Sequence, residues 1–158
     1  MRITWNELTI SPDGVDFNDL LSEWRWLVGQ EYQPVIISAL GDLFLRQDDG
    51  RIFWLNTGSG ELAEVAKDAE EFKNLIVQSD NTDEWFLPNL IGDLLASGKT
   101  LGAKECFGYK IPPVLGGKYE PDNFEPTDLS VHFGILGQIH FQIKDLPPGT
   151  KIDKIKFK

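Results

Sequence analysis

The stretch VIISALGDLFLRQDDGRIFWLNTGSGELAEV, residues 35–65, decides the architecture. Apolar runs at 35–39, 43–46, 51–55 and 62–65 are separated by Gly41-Asp42, by Gln47-Asp48-Asp49-Gly50 and by Asn56-Thr57-Gly58-Ser59-Gly60. The runs are rich in Val, Ile, Phe and Trp and too short for helices. The separators are turn chemistry, because Gly, Asn and Asp accept positive φ. The pattern predicts an antiparallel meander.

Working outward, Phe17, Leu20, Leu21, Trp24 and Leu27 recur at helical spacing behind Asp16 and ahead of Gly29, predicting a capped helix over 17–28. Downstream, Asp68 with Glu71 has the form of a capping box, and Phe72, Leu75 and Ile76 line a short helix. Residues 81–84 repeat the cap signal before Phe86, Leu87, Leu90, Ile91, Leu94 and Leu95, with Pro88 in the first turn and Gly98 at the end. Beyond these the spacing predicts strands over 105–110 and 129–133 around a long Pro/Gly-rich loop. A helix at 136–143 and an edge strand at 151–157 complete the chain. The fold class is α+β: an antiparallel β-meander with flanking helices, a single compact domain or two small lobes sharing a core. Residues 1–66 and 67–158 form the two parts of what reads as one structural unit.

The chain has 158 residues, 41% of them hydrophobic, including five tryptophans, which suffices for a real core. No run of eighteen apolar residues and no secretory leader pattern is present, so the expected location is the cytoplasm, with no membrane partner. Cys106 is the only cysteine, which excludes an internal disulfide and suits a small core residue. Net charge is −10, unevenly spread. Residues 144–158 carry five lysines against Asp145 and Asp153, so that +3 leaves −13 on residues 1–143. Such a field repels nucleic acid and speeds encounter with a basic partner.

Catalytic chemistry is poorly supported. Asp128, Ser130 and His132 fall on alternate positions of the predicted 129–133 strand, but neighbours two apart on a strand are about 6.6 Å apart, too far for a nucleophile and its base. No Gly-x-Ser-x-Gly elbow accompanies them. Cys106, His132 and His140 lack any metal-ligand spacing, and His140 sits on an apolar helical face as a hydrogen-bonded core histidine. No enzyme activity, cofactor or metal is expected. The loop 118–128 differs: four acids, one lysine, Tyr119 and Phe124 lie among prolines that stiffen it. Tyr119, Glu120, Asp122, Asn123 and Glu125 are the candidate partner-binding residues.

Several short motifs carry a family resemblance. Gly41-Asp42-Leu43-Phe44-Leu45-Arg46 and Arg51-Ile52-Phe53-Trp54-Leu55-Asn56-Thr57-Gly58 resemble the end of the GAD-like domain of bacterial immunity proteins. Asp83-Glu84-Trp85-Phe86, Gly108-Tyr109-Lys110, Leu115-Gly116-Gly117-Lys118-Tyr119, Asp122-Asn123-Phe124-Glu125, Val131-His132, Leu136-Gly137-Gln138-Ile139-His140 and Lys144-Asp145-Leu146-Pro147-Pro148-Gly149 resemble the C-terminal domain of Tdi-type immunity proteins of type VI secretion. The resemblance spans about residues 35–155. It implies neutralisation of a cognate toxin, a nuclease in the best-known members, by direct binding in the cytoplasm. The layout is also similar, more loosely, to the SUKH (SMI1/KNR4-like) group. A SUKH-like regulatory scaffold and a small hydrolase using Ser130 and His132 are the competing readings.

Overall fold

The meander forms around central strands that bury residues on both faces. The computed structural model describes residues 2–152 and 154–157. Strands β2 (Tyr32–Ser38), β3 (Leu43–Gln47), β4 (Ile52–Asn56) and β5 (Glu61–Ala66) pair antiparallel in sequence order, and the two-residue β1 (Thr9–Ile10) adds to the outer edge of β2. Leu43 faces Leu55, Phe44 faces Trp54 and Leu45 faces Phe53. Successive side chains on a strand point to opposite faces. Phe44 therefore packs with Ile52, Phe72, Trp85, Phe86 and Ile91, whereas Leu43 and Leu45 pack with Trp24, Leu55, Phe133 and Leu136. All three residues are wholly inaccessible, so the sheet is the middle of three layers.

One covering layer is helical throughout: α4 (Ala69–Ile76), α5 (Ser79–Phe86) and α6 (Pro88–Ala96). Asp68 caps α4 by accepting from the Glu71 N–H at 2.8 Å, and the Glu71 carboxylate accepts from the Lys67 N–H at 3.1 Å. The single helix expected after residue 84 is two helices. Residues 81–84 lie inside α5, and Leu87, at φ 45°, breaks the chain before Pro88 starts α6. A proline ring disfavours helical geometry in the residue before it, which forces that break.

The opposite layer combines α2 (Phe17–Leu20), α3 (Arg25–Val28) and the long α7 (Leu129–Ile143), whereas α1 (Trp5–Leu8) packs on the first layer, with Leu8 in the Phe44 cluster and Trp5 edge-on to Phe86 at 5.2 Å. Here the expected helix over 17–28 is interrupted by a 3-10 turn at Ser22–Trp24. That turn points the Trp24 indole inward, where its Nε1–H donates to the Phe133 carbonyl at 2.8 Å. The 129–133 strand is also corrected. The strand is β7 (Phe124–Asp128), paired with β6 (Glu105–Tyr109), and α7 begins at Leu129. Asp128 accepts from the Val131 N–H, a helix N-cap, and Leu129, Phe133, Leu136 and Ile139 then follow helical rather than alternating spacing. Residues 151, 152 and 154–157 form no strand, in contrast to the expected edge strand, and Asp153 lies outside the described residues.

Candidate partner-binding site

Residues 110–125 leave β6, cross the surface and return as β7. Their path is held by one side chain. Asn123 accepts from the Ile111 N–H at 2.9 Å through Oδ1, and its Nδ2 donates to the carbonyls of Ile111 (2.9 Å) and Lys118 (3.0 Å). Close approach makes glycine obligatory opposite it, since a Cβ on Gly117 would stand 1.7 Å from the Ile111 carbonyl oxygen. From below, the Lys99 ammonium donates to the carbonyls of Pro121 (2.8 Å) and Phe124 (2.9 Å).

Aromatic rings seat the loop on the body. Phe124 is buried, and Tyr119 meets Tyr109 edge-on at 5.8 Å and Phe124 at 6.1 Å while staying 46% exposed. Glu120, Asp122 and Glu125 are exposed. Of the five residues singled out from sequence, four thus face solvent on an ordered scaffold, and Asn123 spends its amide inside the loop. Reading residue types alone missed the exposed Ile111, Val114 and Leu115 beside them. The Pro112-Pro113 pair was the available signal, because it marks a turn, and turn segments run over the surface.

The proposed hydrolase constellation is taken apart by the same fold. Ser130 is exposed in the first turn of α7 and donates to Asp19 Oδ2 at 2.6 Å. His132 is buried on the other side of that helix, its Nε2 3.0 Å from both Gly41 O and Thr57 Oγ1. A helical rather than extended backbone separates them, so nucleophile and base never meet.

His132 instead belongs to a buried polar knot between two hairpin turns and α7. Asp42 accepts from the Thr57 N–H (2.9 Å), the Thr57 hydroxyl (3.0 Å) and the Trp54 indole (3.3 Å). Burial pushes the Asp42 carboxyl up to about 6 and the His132 imidazole down to about 4. Two turns along α7, His140 donates to the Thr57 carbonyl at 2.9 Å, as a hydrogen-bonded core histidine should. Burial likewise raises the Cys106 thiol well above its usual range, leaving an inert core residue. Among the described residues every buried side-chain N or O has a partner. Asp42, Thr57, His132 and His140, all buried and all hydrogen-bonded, hold the turns onto α7. Among the described residues no group of three His, Cys, Asp or Glu is placed to hold a metal, and no helix is long and apolar enough to cross a membrane.

The α+β body carries an acidic loop braced by Asn123 and Lys99. Comparison with known proteins gives the region around the loop a family likeness. Residues 66–140, which contain the loop, match the family model for the T6SS immunity protein Tdi1, C-terminal, so this region is similar to the C-terminal region of the Tdi-type immunity proteins of type VI secretion. No curated protein matches the chain. Among solved structures it resembles the crystal structure of Atu4351 from Agrobacterium tumefaciens, with a TM-score of 0.52 and 16% identity over 77% of this chain. It spans 63% of that chain, and at this identity the likeness concerns the fold alone.

Proposed function

We propose that the protein neutralises a cognate nuclease-type toxin by direct one-to-one binding in the cytoplasm. The observation that carries this reading is the braced 118–125 loop, which presents Tyr119 between Glu120, Asp122 and Glu125 within the family-matched region. Fixing the loop in advance removes most of the ordering entropy that binding would otherwise cost. An exposed aromatic with an apolar body supplies the contact area, and the surrounding carboxylates supply the sign: a basic toxin surface, such as one shaped to hold nucleic acid, is attracted from a distance. No nucleic acid or membrane is engaged by the inhibitor itself, since both carry the same charge as its surface.

The test is rescue of cells expressing the toxin encoded beside this chain, together with association kinetics. Glu120→Lys/Asp122→Lys/Glu125→Lys should slow association at least tenfold at low salt, with much less change in dissociation. Absence of rescue by the unaltered chain rejects immunity. An association rate indifferent to both salt and charge reversal rejects the loop as its docking surface.

A further inference from the structure

We infer that the groove between α3 and α7 is a docking site for an extended, Lys/Arg-rich protein segment bearing an aromatic residue, occupied in this structure by Lys156 and Phe157 of the chain's own C-terminal strap, residues 150–157. The groove's chemistry is shown by what already lies in it. Gln142, exposed on α7, reads the backbone of Lys156 from both sides: its Oε1 accepts from the Lys156 N–H at 2.9 Å and its Nε2 donates to the Lys156 carbonyl. This two-point amide clamp accepts any extended residue, because it touches only main-chain atoms. Trp26, Phe141 and Phe157 then line a cavity of about 490 Å³ together with Ser22 and Lys156. Trp26 and Phe141 meet edge-on at 5.9 Å, which leaves ring surface facing the space between helix and strap.

Charge selects the sign of the occupant. Residues 150–158 carry four lysines against Asp153, and the body they lie across carries −13 over residues 1–143. The Phe141 ring already draws a cation, the Lys144 ammonium, to 5.4 Å from its centre. The strap also runs on from the candidate loop site: Ile152 and Ile155 line a cleft of about 390 Å³ with Val114 and Leu115, the exposed apolar residues beside Tyr119. A basic partner engaging the acidic loop therefore meets, along one continuous surface, a groove whose present occupant has the partner's own charge. Displacing the strap exchanges one basic segment for another and frees more of the surface of Val114, Leu115, Trp26 and Phe141 for contact. That the toxin supplies this segment rests on the proposed immunity function; the groove's preference for such a segment does not.

The probe is a fluorescent nonapeptide with the sequence of residues 150–158, and a counterpart with each lysine replaced by glutamate, titrated by anisotropy into the full-length chain. The basic peptide should bind saturably and the glutamate peptide should not. Phe157→Ala weakens the chain's own strap and should tighten peptide binding at least threefold, since a larger fraction of the groove is open. Gln142→Ala removes the clamp and should weaken it at least threefold. Equal affinity in all three proteins, or no preference between the peptides, overturns the proposal. Concentration-dependent dimers that Phe157→Ala abolishes would assign the groove to the strap of a second copy and overturn it as a partner site. Loss of toxin rescue with these peptide results intact would instead reject the immunity function alone.

Discussion

Replacing Asp42 by asparagine should change how stability depends on pH, with a sign set by the buried knot. The Asp42 carboxyl sits at about 6 in the folded chain against an ordinary 3.8, so folding favours its protonated form. Its contribution to stability therefore grows as pH falls through 6 toward 4. His132 sits at about 4 against 6.5, so folding favours the neutral ring. Its contribution is present above 6.5 and is lost as pH falls through the same window. Linkage converts these shifts: between pH 7 and 4.5, protonation of Asp42 adds about 2 kcal/mol, whereas His132 removes a similar amount. The two nearly cancel in the unaltered chain. An asparagine side chain cannot take up the proton, yet its carbonyl still accepts from Thr57, so only the Asp42 half of the balance disappears. Urea unfolding followed by tryptophan fluorescence at several pH values reads the difference directly. The stability of Asp42→Asn relative to the unaltered chain should fall by about 2 kcal/mol from pH 7 to 4.5. A difference that stays constant across that range would refute a carboxyl raised by burial, and one that rises would refute the sign.

Two further substitutions probe the elements that set the site. Gly41→Ala should destabilise the chain by roughly 3 kcal/mol in thermal unfolding, because Gly41 adopts φ 79° and a Cβ there would stand 2.3 Å from His132 Nε2. Asn123→Ala removes three hydrogen bonds that organise residues 111–123 and should weaken toxin binding by roughly 1–3 kcal/mol through loss of loop order, while amide exchange rises within 110–123 and stays unchanged in β3. Normal exchange in that loop would show that Asn123 is dispensable to its shape.

Local chemistry made much of this protein legible. The four principal strands of the meander follow from β-branched and aromatic runs cut by Gly, Asn and Asp, and α4 follows from its Asp68 cap, because turns and caps act over a few residues. The order and acidity of the 118–125 loop were readable for the same reason. The sequence misled where a local signal had two meanings. Asp128-Leu129-Ser130-Val131-His132-Phe133 alternates like a strand, yet Asp128 caps a helix there, and that one choice places Ser130 in solvent and His132 in the core. Only tertiary structure decides it: pairing of β7 with β6 uses up the extended backbone by residue 128, and the apolar face of α7 finds Trp24, Leu43 and Leu55 across the sheet. The same long-range packing bends Asn123 inward, encloses Asp42 and His132, and lays Lys156 against Gln142. None of these has a signature within a few residues of chain, because each depends on groups brought together from distant parts of the sequence.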